Sequence, residues 1–143
     1  MTQPQYDVVA IGNAIVDVIA PADDAFLAQH ALPKGGMQLI DAATADFLYS
    51  EMGAARETSG GSAANTLAGL AALGKSCGFI GQVADDQLGR IFTHDIRALG
   101  VDYRTPVSNG GIPTARCLVM VTPDAQRTMN TFLGVSSLLC ASD

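Results

Sequence analysis

Gly60-Gly61-Ser62-Ala63-Ala64-Asn65-Thr66-Leu67-Ala68-Gly69-Leu70-Ala71-Ala72-Leu73-Gly74 decides how the rest of the chain is read. A glycine pair runs directly into a stretch of small helix formers that another glycine closes. Residues without Cβ let backbone and ligand meet closely. The first turn of a helix adds N–H groups that have no intrahelical acceptor, together with the positive end of the dipole. The pattern therefore predicts a helix whose N-terminal end is a socket for an oxygen-rich ligand. Ser62 is the expected N-cap, Asn65 is expected to turn its amide out beside the glycines, and Gly74 is the expected C′ stop.

The same run contains a competing pattern. Gly69-Leu70-Ala71-Ala72-Leu73-Gly74-Lys75-Ser76 satisfies the Walker A spacing letter for letter. A phosphate-binding loop needs a strand before its glycines and a helix after its lysine, so that the helix N-terminus faces the phosphates. Here the order is reversed, because a helix leads into Gly74 and Cys77-Gly78-Phe79-Ile80-Gly81 reads as the strand that follows. The four variable positions are also helix formers rather than loop residues. The segment is read as a helix C-terminus and not as an ATP site.

Outward from this centre, residues 6–11 form a β-branched apolar run, read as a buried first strand of a parallel sheet. Residues 15–20 continue extended, with Ile15, Asp17 and Ile19 on one face of the pleat and Val16 and Val18 on the other. A short helix over 23–30 must end before Pro33, Gly35-Gly36 turns into an extended 37–40, and an amphipathic helix covers 43–52. Residues 79–83 read as a strand. Asp86 opens a helix in which Leu88, Ile91, Phe92, Ile96 and Leu99 recur at helical spacing, and 101–106 return extended. Strand, helix and strand in this order make a right-handed βαβ crossover. Between residues 114 and 133 two strands flank Thr122-Pro123-Asp124-Ala125-Gln126, a type I hairpin sequence.

Composition limits the function classes. The 143 residues, 48% of them hydrophobic with a mean hydropathy of +0.25, fit one domain with a core. Fourteen acidic against eight basic residues leave a net charge of −6, so nucleic acid and acidic membrane surfaces are not expected partners. Cys77, Cys117 and Cys140 are far apart, have no metal spacing, and read as buried, reduced thiols. The start, Met1 to Asp7, lacks a basic region followed by an apolar one, and no run approaches a membrane span. The chain is expected to be soluble and cytoplasmic.

These stretches together resemble the ribokinase (PfkB) family of carbohydrate and nucleoside kinases. Residues 60–74 are similar to its N-terminal signature. Gly12-Asn13-Ala14-Ile15-Val16-Asp17 is similar to its first substrate motif, and Gly81-Gln82-Val83-Ala84-Asp85-Asp86-Gln87-Leu88-Gly89 to its strand-to-helix segment after the signature. The resemblance covers residues 6–134. Asp41, Leu48-Tyr49-Ser50, Pro113-Thr114-Ala115-Arg116 and Arg127-Thr128-Met129-Asn130-Thr131 are most similar to its bacterial adenosine-kinase branch.

What the resemblance implies is an α/β fold, the N-terminal half of a ribokinase-like doubly wound parallel sheet. A small β-sheet lid over the sugar site is implied as well, its segments near 14–20, 35–40 and 112–133 interleaved with the core in residues 1–143. It also implies transfer of the γ-phosphoryl group of ATP, with Mg²⁺, to the 5′-hydroxyl of adenosine or a related sugar or nucleoside. Asn13, Asp17, Gly60, Gly61 and Asn65 would surround the sugar hydroxyls. Met37, Leu39 and Met129 would lie against the base. In this family the anion hole and the catalytic base come from an Asp-Thr-x-Gly-Ala-Gly-Asp-like motif. No segment of this sequence matches it, so neither a catalytic residue nor an ATP or metal ligand is assigned.

Each residue also has a plainer reading. Asp17 can take two hydrogen bonds from a ribose diol, or it can be a solvated aspartate on an edge strand. Asn13 alone is an ordinary turn asparagine. Met37, Leu39 and Met129 suit a flat ring because Met adapts its shape, and they also suit lid packing. Arg116 and Arg127 read as a solvated hairpin face, and His30 and His94 as packing or surface residues. Three further functional readings stay open. They are another sugar substrate such as ribose or fructose, a non-catalytic nucleoside-binding or assembly module, and a homodimer through the lid or an exposed sheet edge. A Rossmann dehydrogenase is disfavoured, because no GxGxxG glycines follow Gly12. The terminal segment 136–143 departs from the resemblance, as a truncation, a frameshift or a cloned boundary would make it.

Overall fold

In the computed structural model residues 5–141 are described; the readings that fall on residues 1–4, 142 and 143 lie outside them. The parallel core sheet has the order β1 (Val8–Ile11), β5 (Cys77–Ile80), β6 (Val101–Tyr103). Its two crossovers carry α3 (Ser62–Ala72) and α4 (Gln87–Ala98). The remaining elements are β2 (Ile15–Pro21), α1 (Asp24–Gln29), β3 (Met37–Leu39), α2 (Ala42–Glu51), β4 (Arg56–Gly60), β7 (Ala115–Val121) and β8 (Arg127–Phe132), with a 3₁₀ segment at Gly134–Leu138.

Alternation along the core strands puts Val8, Ala10, Cys77, Phe79, Val101 and Tyr103 against Ala64 and Leu67 of α3 and Phe92 and Ile96 of α4. Three rings anchor this layer, with Phe92 to Phe79 and to Tyr103 centroids both 5.6 Å apart. The Tyr103 hydroxyl donates to the Gly81 carbonyl at 2.8 Å, so the one polar atom buried with them is satisfied. Desolvation accordingly pushes the Tyr103 pKa up to about 12. The first strand is not buried on both sides as its apolar run suggested. Val9 and Ile11 are 51% and 68% exposed, because both crossover helices lie over the other face of the sheet. Cys140 also differs from its reading: it is exposed, while Cys77 and Cys117 are buried.

The second sheet is mixed and five-stranded, in the order β3-β8-β7-β2-β4. One of its faces, with Val18, Leu118 and Met120, is packed under Leu27 and Leu32 from the α1 region and Leu48 of α2. Strands β7 and β8 form the expected hairpin. Its turn is closed by the Ala125 N–H donating to the Thr122 carbonyl at 2.8 Å, with Ala125 at φ +64°. Strand β4 was not legible in the sequence, since Arg-Glu-Thr-Ser-Gly has no apolar alternation. Arg116 is not a solvated hairpin residue either. It belongs to the helix-backed side, between the Tyr49 and Phe132 rings and paired with Asp46, and its side chain is only 13% exposed.

Side-chain caps start three of the four helices: Asp23 accepts the Phe26 N–H, Asp41 the Thr44 N–H and Asp86 the Gly89 N–H. Helix α3 is the exception. Its N-cap is Gly61 at φ +91°, no side chain caps it, and Ser62 is the first helical residue rather than the cap. No helix among the described residues is long and apolar enough to cross a membrane.

Candidate functional site

Strand β2 leaves the core sheet after Gly12 and Asn13, and β4 returns to it through Gly60 and Gly61, where α3 begins. Ile15 pairs with Gly60 and Asp17 with Thr58. The pleat turns Asp17 toward Gly60, so closely that a Cβ at Gly60 would lie 2.4 Å from the carboxyl carbon and Oδ2 of Asp17. That glycine is therefore a condition for the carboxylate to sit where it does. Gly61 is fixed by backbone as well as by space: its φ is +91°, and a Cβ there would come within 2.9 Å of the Asn13 carbonyl oxygen. Room for a ligand, the reason visible in sequence, is thus joined by conformational necessity.

Asp17 is half-buried and accepts no hydrogen bond from the described residues. Burial raises its pKa above the ordinary carboxylate value, and the positive charge of Arg127 offsets part of this. A carboxylate that accepts no hydrogen bond is matched by the two donors of a vicinal diol. The uncapped N–H groups of the first turn of α3 follow directly on Gly60 and Gly61 in the chain. Asn65, in that turn, is exposed; its N–H donates to the Gly61 carbonyl at 2.9 Å, and its side chain is open. Asn13 is exposed too, and its Oδ1 accepts from the Ser136 hydroxyl at 3.3 Å. Ser136 is 3% exposed and reaches Asn13.

The register carries this site along the face of the second sheet turned away from α1 and α2. One row runs Thr58, Asp17, Cys117, Thr131, Leu39, and the next runs Arg56, Ile19, Val119, Met129, Met37. Asp17 and Leu39 are three strand spacings apart, about 14 Å. Asp17, Met37, Leu39 and Met129 therefore share one face. Met37 and Leu39 are 60% and 62% exposed, and Met129 is half-buried beside Met37. Cys117, Val119 and Thr131 belong to the same face and were missed. In β7 both faces are apolar, so alternation gave no signal for which residues point outward. The Thr131 hydroxyl donates to the Cys117 sulfur at 3.3 Å, and desolvation raises the thiol pKa.

At the far end of α3 the Walker-like run is helix and helix stop. Gly69 is inside α3, Gly74 adopts φ +82°, and the Gly74 and Lys75 N–H groups donate to the Ala71 and Leu70 carbonyls at 2.9 and 3.1 Å. This is a Schellman closure, in which the N–H groups near the lysine are already used. It does not fit a nucleotide phosphate. No group of three or more His, Cys, Asp or Glu side chains that could hold a metal ion is found among the described residues. His30 stacks between Phe26 and Phe47, and His94 is exposed beside Asp95.

Comparison with known proteins gives a family match over residues 5–141 to the pfkB family carbohydrate kinases. The segment from residue 136 on, expected to depart from the resemblance, is part of that match as far as residue 141. The solved structure of adenosine kinase from Sinorhizobium meliloti is 55% identical, with a TM-score of 0.91 over 98% of this chain and 43% of its own. A probable sugar kinase from Rhizobium etli CFN 42 is 51% identical, with a TM-score of 0.91 over 99% and 43%. The fructokinase of Klebsiella pneumoniae is 31% identical over 70% of this chain and 32% of its own. The chain thus spans less than half the length of the relatives that it matches.

Proposed function

The chain belongs to the pfkB family of carbohydrate kinases, and from that premise we propose that residues 5–141 form the substrate-binding side of a nucleoside kinase. Its substrate is adenosine or a close relative, and the phosphoryl acceptor is the ribose 5′-hydroxyl. The observation that carries this reading is the order of chemistry along one face. A carboxylate above Gly60 that accepts no hydrogen bond from the described residues stands on β2, and exposed Met37 and Leu39 stand three strands away on β3. A ribose diol matches the first and a flat purine the second. Asn13, Gly61 and Asn65 complete the sugar side, and Met129 the base side, under a five-stranded sheet acting as the lid.

ATP and Mg²⁺ are the cofactors that this reaction class requires, and phosphoryl transfer rests on charge stabilisation around the transferred group. The described residues offer no cradle for them, so the 143-residue chain is proposed to bind substrate without phosphorylating it. Association of two copies is part of the same reading, through the core-sheet face where Val9, Ile11 and Ile80 are exposed. Light scattering on the purified chain tests that association.

The competing substrate is a simple sugar, supported by the fructokinase relative. Titration calorimetry of the chain with adenosine, 2′-deoxyadenosine, ribose and fructose separates the two. The expected order is adenosine first, with 2′-deoxyadenosine weakened by loss of one diol donor and the free sugars weaker still. Fructose binding without adenosine binding overturns the nucleoside reading.

A further inference from the structure

Helix α4 reaches the second sheet with two carboxylates. At its start, Asp86 caps the helix through the Gly89 N–H, and also accepts the Thr114 N–H and hydroxyl, each at 2.8 Å. Thr114 is the residue before β7, and its hydroxyl oxygen in turn accepts the Ala84 N–H at 2.9 Å. Two turns further along, Asp95 Oδ2 accepts the Ser59 N–H at 3.0 Å. Strand β4 has β2 on one side only, so this amide lies on the outer edge of the sheet. Ser59 stands immediately before Gly60, and Thr58 stands opposite Asp17.

The surroundings of Asp95 indicate a bond formed by the ionised carboxylate. Desolvation pushes its pKa up, but the Ser59 amide, the neighbouring His94 and the Thr58 side chain outweigh this and hold the carboxyl below its ordinary value. A bond from a backbone N–H to a carboxylate is stronger than a neutral one. Edge strands without such a partner are loosely held, and β4 ends in Gly60 and runs on into Gly61, residues that resist bending less than any other would.

We propose that Asp95 is a positioning residue for the ligand socket: by fixing the outer edge of β4 it holds Gly60 beneath the Asp17 carboxylate and Gly61 against the Asn13 carbonyl. The bond is local to the socket, whereas the Asp86–Thr114 node fixes the start of a different strand. Asp95 touches no ligand in this scheme and acts through Ser59. Only the affinity arm of the test rests on the nucleoside reading above.

The test uses the 143-residue chain with Asp95→Ala and Asp95→Asn, whose amide oxygen keeps an acceptor for Ser59. Amide hydrogen exchange without ligand is measured at Ser59, Gly60 and Gly61, and adenosine is titrated into each protein. Asp95→Ala is expected to speed exchange at these amides and to weaken adenosine roughly tenfold, the value of one charge-assisted bond. Asp95→Asn is expected to recover most of both. Wild-type exchange at residues 59–61 in Asp95→Ala overturns the proposal even where no ligand binds. So does a loss of thermal stability with exchange and affinity unchanged, which is what a purely structural role produces. If wild type binds no nucleoside, the functional reading fails and the exchange arm alone decides this one. Should the alanine variant not fold, Asp95→Ser, too short to reach Ser59, carries the same expectations.

Discussion

The two ends of helix α3 carry glycine motifs that look equally suited to an anionic or oxygen-rich ligand, and they do opposite things. At the N-terminal end the glycine pair leaves the first-turn N–H groups uncapped and makes room for the Asp17 carboxylate. At the C-terminal end Gly74 and Lys75 turn their N–H groups back onto the helix carbonyls. A helix has free donors at one end and free acceptors at the other, so glycines leave open N–H groups in one place and form a stop in the other. Only the C-terminal run satisfies a phosphate-loop pattern letter for letter, yet it is the end whose N–H groups are used within the helix. The direction of the chain through the helix decides between them.

That contrast can be broken most sharply at Gly60. Gly60→Val puts side-chain atoms where the Asp17 carboxylate now lies, and is expected to abolish measurable adenosine binding while circular dichroism stays near wild type. Wild-type affinity in this variant would remove the N-terminal end from consideration. Asp17→Asn is next. It should cost on the order of 1.5–3 kcal/mol of binding by calorimetry, the loss of charged hydrogen bonds to the diol.

The same change should leave thermal stability equal or higher, because burial makes the ionised form of Asp17 costly. A carboxylate whose folded pKa is raised adds stability at acid pH that is lost as pH rises through the folded value. The Asn variant should therefore lack the Asp17 contribution to a stability–pH curve just above the ordinary carboxylate range. Binding should run the other way, weakening as the pH falls through that window. A pH-independent affinity between pH 4 and 7, a window set by the ordinary carboxylate value of about 4, would contradict a role for the ionised carboxylate.

At the C-terminal end the expected effects are smaller and of another kind. Gly74→Ala forces a Cβ into the left-handed region, and should lower stability by about 1 kcal/mol in chemical denaturation with binding unchanged. Lys75→Ala should do least, within about 0.5 kcal/mol in stability and with no change in nucleoside or nucleotide binding. Loss of ATP binding in that variant, with Asp17→Asn silent, would reverse the assignment of the two ends.

The second sheet shows where legibility in sequence stops. Asp17, Met37, Leu39 and Met129 were picked from motif and residue type, and they share one face because each sits at an alternating position in its own strand. Cys117, Val119 and Thr131 complete the rows between them, yet Ala-Arg-Cys-Leu-Val-Met-Val carries no alternation that says which residues are helix-backed. Arg116 illustrates the same limit in reverse. Its charge suggested solvent, but two rings and Asp46 take it into the covered side. Ser136 came to Asn13 across more than a hundred residues, a contact that no local pattern encodes.

The sequence by itself determined the helices, the glycine stop of α3, the β7–β8 turn, the opening of α4 at Asp86, and the glycine pair where backbone conformation leaves no other choice. These are local properties, set by φ, by side-chain branching and by hydrogen bonds three or four residues apart. Tertiary structure alone decided that β1 keeps one face bare, that β4 exists as an edge strand, and that Asp95 meets Ser59. It also aligned the carboxylate of β2 with the thioethers of β3 and β8. Those outcomes depend on which strands become neighbours and on which face the helices cover. Both are set by burial summed over the whole chain, which no single segment contains.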